Sequence, residues 1–378
     1  MFAGVLTMLL AMGWAANHFA ALLPAISLHH HLSTATLDVM FGIYAVGLLP
    51  GLLLGGRASD RLGRASVALV GSTTALVGTI AMLVSQHADV LLVGRLIVGI
   101  GVGLAVSSCT AWASDLRGPA GAAMAGAILI LGFAVGPLAS GVIASAGRFG
   151  IRLSFAVAAG LVAAAIAALV ASHRAAVPVP APTRVSEPPA GQGTLRALSW
   201  AMPLAPWVFA SASIAFVTIP TRVHTGLAAP LAAGVAALIA NGASGLSQLA
   251  ARARRWGPRT GTVGTSLAAL GYAVIAVIPS SIPLGLGLIL VLLLGCASGL
   301  CLREGLIDLE AAAPQHIRGT LTGVFYAVTY VGFGLPLLLT VLGPTRGSAM
   351  IFAALAALAA AAAVGRAARL HRNVHRQN

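Results

Sequence analysis

Residues 52–66 read LLLGGRASDRLGRAS. Asp60 stands among Arg57, Arg61 and Arg64, and apolar runs press in from both sides. The chain of 378 residues holds only 8 acidic and 22 basic residues, so this cluster departs from everything around it. It is either a solvated turn between two helices or a mechanical part fixed at one place in a larger machine. The rest of the chain decides between the two.

The composition is 58% hydrophobic and 8% charged, with a mean hydropathy of +0.97. Soluble domains carry about 25% charged residues. This chain has too few polar groups to coat an outer surface, so lipid is its expected solvent and membrane-crossing helices are its expected elements. The net charge of +14 does not point to nucleic acid, because the arginines are scattered between apolar runs with no basic face interleaved with aromatics. Cys109, Cys296 and Cys301 lie in apolar runs without zinc-type spacing and read as buried thiols. His29, His30 and His31 have only Asp38 as a nearby acid, so no metal site is expected there, nor any cofactor elsewhere. No basic segment precedes the first apolar run at Phe2, so no cleaved leader is expected.

A crossing helix needs about 20 apolar residues. Runs of that kind fall near 2–26, 38–56, 66–86, 90–113, 119–145 and 150–172. A second set falls near 201–220, 227–250, 261–280, 284–307, 319–342 and 347–365. The sequence thus divides into an N-terminal six-helix bundle (1–172), a linker (173–200), a C-terminal six-helix bundle (201–366) and a basic tail (367–378). VPVPAPTRVSEPPAGQG within the linker is too rich in proline for a helix and reads as a semi-rigid, extended spacer. With both termini cytoplasmic, only Arg148, Arg152, Arg222 and Arg346 face outward and Arg95 lies within a span; every other arginine faces inward. That asymmetry orients the chain.

The halves echo each other at a spacing of about 194–201 residues. Pro24 matches Pro220, Gly63 matches Gly257, Gly99 and Gly103 match Gly295 and Gly299, Arg117-Gly118 matches Arg318-Gly319, and Pro137 matches Pro336. Ordered pairs at near-constant spacing imply a duplication, and parallel repeats related by an axis along the membrane normal are a transporter architecture.

Six plus six spans, a central linker and LLLGGRASDRLGR after the second span together resemble the major facilitator superfamily over essentially the whole chain. Its signature loop, G-x-x-x-D-[RK]-x-G-[RK], is matched by Gly56, Asp60, Arg61, Gly63 and Arg64. The resemblance implies an all-α membrane fold of twelve transmembrane helices in two six-helix bundles with pseudo-twofold symmetry. It further implies that Asp60 caps the eleventh helix near Arg318-Gly319-Thr320. Arg64 would bridge to Asp115 at the end of the fourth, the whole forming a latch on the outward-open state. Gly63 is expected to supply the tight turn and Gly56 a close helix approach. In the second copy Arg254 replaces the aspartate and Pro258 the arginine, so that latch is expected to be lost.

Two further motifs agree. Arg95 with Gly99 and Gly101 resembles the family's fourth-helix pattern R-x-x-x-G-x-G, with Val98 where glutamine is usual. Arg95 serves proton transfer or anion contact, or it snorkels to the outer surface. Gly132, Gly136, Pro137 and Gly141 resemble the fifth-helix motif of the antiporter branch, with Ser140 in place of one glycine, and imply export.

Substrate is expected near the midplane between the halves. His18 is either a proton-coupling group or a hydrogen-bonded core residue. Arg303 and Glu304 sit opposite Ser107 and Ser108 when the fourth and tenth spans are aligned by their glycines. Glu304 is then a buried protonatable carboxylate paired with Arg303, or else a surface ion pair. Asn17, Tyr44, Trp112, Trp207, Asn241, Gln248, Tyr326 and Tyr330 are the candidate cavity residues, aromatic and polar groups suited to an amphipathic solute.

No G-x-S-x-G elbow, H-E-x-x-H or G-x-x-x-x-G-K-[ST] loop is present, so neither an enzyme nor an ATP-driven pump is expected. The expectation is a monomeric secondary transporter in the inner (plasma) membrane, coupled to protons and exporting a drug-like or metabolite solute. Uptake of a small metabolite is the nearest rival, and a transporter-like membrane sensor the next.

Overall fold

The computed structural model describes residues 1–174, 193–278, 281–313, 318–342 and 346–375. Twelve helices in it are long and apolar enough to cross a membrane. They are α1 (Phe2–His30), α2 (Thr34–Leu62), α3 (Arg64–Val84), α4 (Ala88–Gly118), α5 (Ala120–Ala144) and α6 (Phe149–Arg174), then α7 (Thr194–Arg222), α8 (Ala229–Ala253), α9 (Arg259–Val277), α10 (Leu284–Ala312), α11 (Leu321–Leu342) and α12 (Ser348–Arg372). The apolar runs therefore read correctly as spans, although helix continues beyond most of them. α7 begins at Thr194, inside the stretch read as linker, and the proline-rich residues 175–192 lie outside the described residues. The helix of α12 runs on into the stretch read as a basic tail.

Chain breaks follow turn chemistry. Ser33 caps α2 by accepting from the Thr36 N–H at 3.1 Å. α3 starts directly after Gly63, whose φ of 91° lies where only glycine is unstrained. α4 and α5 are separated by non-helical geometry at Arg117 and Gly118.

Small residues weld the helices, and the welds obey the repeat. A side chain added at Gly13 in α1 would strike Leu129 and Gly132 of α5; one at Gly332 in α11 would strike Ala210 of α7. Gly47 and Gly51 seat α2 on the backbone of α4, as Gly295 and Gly299 seat α10 on α8. Gly71 joins α3 to α4, and Gly264 joins α9 to α10. Pairs 1–5, 2–4 and 3–4 thus recur as 7–11, 8–10 and 9–10, which is the pseudo-twofold arrangement. Without a hydrophobic drive between helices in lipid, such backbone approach is what holds them.

Two seams cross between the repeats. α5 meets α8, where Gly141 lies against Pro230 and Gly234 against Pro137. α2 meets α11, where Asp38 accepts from the Thr340 hydroxyl at 2.6 Å and Gly323 faces the Leu53 side chain. Replacing Gly141 with valine should overpack the first seam and cost about 1–3 kcal/mol. Gly126→Val, at a position with nothing within 4 Å, should leave the melting temperature of the detergent-solubilised protein unchanged.

Candidate functional site

The start of α1, the end of α12, the α2–α3 turn, the α4–α5 turn and the α8–α9 turn gather on one face of the bundle, which follows from an even number of crossings. On that face Arg64 is the hub of the first repeat. Its Nη1 lies 2.8 Å from Asp60 and 2.6 Å from the Ser59 hydroxyl, and its Nε donates to Asp115 at 2.8 Å. Ser108 of α4 donates to the Arg64 carbonyl at 2.7 Å. One side chain thereby ties the end of α2, the start of α3 and the end of α4. The expected cap of α11 by Asp60 falls at residues 318–320, outside the residues whose side chains are described. Gly56 does not mediate helix approach, since the space around it is open; Gly55 does, facing Leu104 and Ser107. Helical phase turns residue 55 toward α4 and residue 56 away from it.

Arg95 does not snorkel. It is 1% exposed, donates to the carbonyls of Ala16 (3.1 Å) and Met40 (3.4 Å), and lies between the Phe19 and Tyr44 rings at 4.7 and 4.4 Å from their centroids. Among the described residues no carboxylate pairs with it. The Tyr44 hydroxyl beside it is buried with no hydrogen-bond partner. His18 is fully buried, its Nδ1 3.1 Å from the carbonyls of Trp14 and Ala15 and its ring edge-on to Phe155 of α6.

At the α5–α8 seam two amides converge on one acceptor. Asn17 of α1 donates to the Phe133 carbonyl at 2.9 Å, and Asn241 of α8 donates to the same oxygen at 3.3 Å. The first bond has its repeat partner in Ser213, which donates to the Gly332 carbonyl at 3.0 Å. The fifth-helix motif works in both directions: Gly132 and Gly136 face α1, while Pro137 and Gly141 face α8.

The α2–α11 seam carries an aromatic wall. Phe209 of α7 stacks on Tyr330 at 4.4 Å and on Phe333 at 4.9 Å, Phe41 of α2 abuts Phe333 at 5.0 Å, and Tyr326 follows Tyr330 at 6.3 Å. Two departures from α-helix flank this wall, a π-type turn at Ile214–Thr218 in α7 and a 3₁₀ turn at Gly332–Gly334 in α11. Such departures bend a helix and mark where it can flex.

Two sequence candidates sit away from the seams. Trp112 packs on His173 of α6, and Trp207 bonds to the Pro203 carbonyl and leans on Tyr272 of α9, each within its own half. Gln248 donates to the Ser244 hydroxyl of its own helix at 3.5 Å and stands three residues on from Gly245, which lies against Ile130 of α5. Polarity or aromaticity in a span marks a buried position without telling which face of the helix carries it.

Glu304 is buried, with 2% exposure, but its main partner is not Arg303, which stands off at 3.5 Å. Arg366 of α12 lies 3.2 Å from Glu304 and 2.6 Å from Asp308. Sequence reasoning set Arg366 among the inward-facing surface arginines, yet it is 4% exposed. Glu304 and Asp308, acids on one face of α10 with only Arg303 beside them, were the signal that a further cation had to come from another helix.

The family model of the Major Facilitator Superfamily matches residues 3–336. The chain belongs to that superfamily. As a member it is a membrane transporter of a small solute and not an enzyme. The 3-(3-hydroxy-phenyl)propionate transporter of Escherichia coli (strain K12) is 29% identical over 108 residues, 29% of this chain and 27% of that one. Probable polyol transporter 4 of Arabidopsis thaliana is 32% identical over 79 residues, 21% of this chain and 15% of that one. The matches thus span under a third of either relative. Among solved structures, the POT family transporter PepTSo superposes with a TM-score of 0.76 at 14% identity, covering 100% of this chain and 99% of that one. The nucleoside transporter NupG gives 0.67 at 16%, covering 97% and 98%. At these identities the likeness is one of fold, and it accords with two packed repeats around a central seam.

Proposed function

We propose that this superfamily member is a secondary active transporter that exports a small amphipathic organic solute, drug-like or metabolic, in exchange for protons. It sits in the inner (plasma) membrane with both termini in the cytoplasm and works as a monomer. The observation that carries the reading is the pair of seams between the repeats. One holds an aromatic wall suited to a planar apolar body, the other a cluster of amides suited to its polar end. The α5–α8 seam, packed through the glycines and proline of the antiporter-like motif, supports export. Asp60, Arg64 and Asp115 form the latch, and rocking of the halves about the seams alternates access. His18 and Arg95 are the proton-coupling candidates of the first half.

A second reading is proton-symport or facilitated uptake of a small metabolite. It is favoured by the partial likeness to a transporter of an aromatic acid, for which Arg95, with no acidic partner among the described residues, supplies positive charge beside Tyr44. Proteoliposomes with an internal pH dye, challenged with ethidium, 3-phenylpropionate, a hexitol and a dipeptide, separate the two. Export by exchange moves protons against the carried solute. Solute flux indifferent to collapse of the proton gradient would falsify the antiport reading, and protons moving with the solute would establish the second.

A further inference from the structure

The second repeat was expected to have lost the latch, but a neighbouring contact between the third and fourth helices has a counterpart there. Matched positions show what stands there instead. Gly63 corresponds to Gly257, so Arg64 corresponds to Pro258; the glycines of α4 and α10 bring Ser108 onto Glu304. In the first repeat the Ser108 hydroxyl donates directly to the Arg64 carbonyl at 2.7 Å. In the second, the Pro258 carbonyl accepts from Arg366 Nε at 3.4 Å and Nη2 at 3.2 Å, and the same Nη2 lies 3.2 Å from Glu304. A single hydroxyl bridge between helices has become a carboxylate–guanidinium–carbonyl bridge spanning the same two places.

Arg366 does more than replace the hydroxyl. Its Nη1 pairs with Asp308 at 2.6 Å and donates to the Trp200 carbonyl at 3.3 Å, and its guanidinium lies 5.1 Å from the Trp200 ring centroid. Arg369, one turn on, donates to the Ser199 carbonyl at 2.8 Å. The planar fork of an arginine suits this task, because five donors in fixed directions can meet two acids and two carbonyls at once. A methyl at Gly261 would strike the guanidinium, so α9 leaves room for it.

We infer that Arg366 is the positioning residue of the second repeat: it rebuilds, from α12, the bridge that Ser108 makes to the Arg64 carbonyl in the first, with Glu304 and Asp308 as its counter-charges. The ends of α7, α9, α10 and α12 on the terminal face move as one block because this side chain holds all four. Glu304 is thereby assigned to the bridge and not to carrying protons. The inference rests on the geometry of one half and stands whether the solute is exported or imported.

The first test needs no substrate. Spin labels at residues 196 (α7) and 372 (α12), both exposed, are introduced into a cysteine-free protein in lipid nanodiscs, and their distance distribution is read by pulsed EPR. The native arginine is expected to give one narrow distribution. Arg366→Lys, which keeps the charge but loses the fork, should broaden it, and Arg366→Met should broaden it further. Arg303→Ala, removing only the distant partner of Glu304, should leave it narrow. An Arg366→Lys distribution as narrow as the native one overturns the inference, as does equal broadening by Arg303→Ala. Should Arg366→Met fail to fold, the lysine variant decides. A transport readout separates the two roles of Glu304: Glu304→Gln is expected to slow solute exchange and gradient-driven flux in proportion. Loss of gradient-driven flux with exchange intact would make Glu304 a proton carrier and reject its place in the bridge.

Discussion

Arg95→Ala should destabilise the protein by about 3–5 kcal/mol, on the scale of truncating a large buried side chain. The guanidinium fills the space between Phe19 and Tyr44 and draws α1 and α2 onto α4 through the Ala16 and Met40 carbonyls. Truncation leaves a cavity where three helices meet. Arg95→Met refills most of that volume and removes a buried charge that no acid among the described residues offsets. Exchanging buried ionic groups for apolar ones of similar volume is often neutral or stabilising. The methionine variant should therefore melt near the native protein in detergent while the alanine variant melts well below it. Transport by the methionine variant then isolates the charge. Native flux through Arg95→Met would reduce Arg95 to packing, and lost flux with retained stability would assign the charge a part in transport.

The second large effect is expected at Arg64. Its two carboxylate partners are about half exposed, Asp60 at 48% and Asp115 at 51%, so each pair contributes only about 0.2–1 kcal/mol. Alanine removes both pairs and the bond to Ser59 together, for a loss of roughly 1–2 kcal/mol, enough to shift a two-state balance about ten-fold. Solute exchange in proteoliposomes should slow by about that factor in Arg64→Ala. Lysine, a point charge without the fork, reaches one acid at a time and should fall between. An alanine variant that exchanges solute at the native rate would remove Arg64 from the proposed latch.

The spans were legible because lipid imposes one rule on every crossing segment, length and apolarity, and that rule is written locally. The repeat was legible because glycine and proline keep their places where backbones touch, as at Gly99 and Gly103 against Gly295 and Gly299. Arg64 and Asp115 could be paired because a loop motif and a helix end stand at fixed spacing. Facing directions were not legible. Trp112 and Trp207 are as aromatic as Tyr330, and only helix rotation sends them into the half cores. Gly56 and Gly55 are chemically identical, and one residue of phase decides which touches α4. Arg366 was hidden by its setting, an arginine just after an apolar run, where the positive-inside rule predicts a surface charge. Its burial depends on Glu304 and Asp308, some sixty residues away in sequence, and no local pattern encodes that meeting.

The shared oxygen of Phe133 bears on how easily the halves can part. A carbonyl has two lone pairs, and here one is engaged from each side of the seam. If Asn241 withdraws, the oxygen keeps Asn17, while the Asn241 amide keeps the Ala237 carbonyl of its own helix at 2.9 Å. Neither partner is stranded. The usual penalty for separating polar groups in a dry interior, the desolvation of what is left behind, is therefore largely absent at this point of the seam. A contact that can be let go without creating an orphan lets two apolar halves grip each other firmly and still release on the timescale of a working cycle.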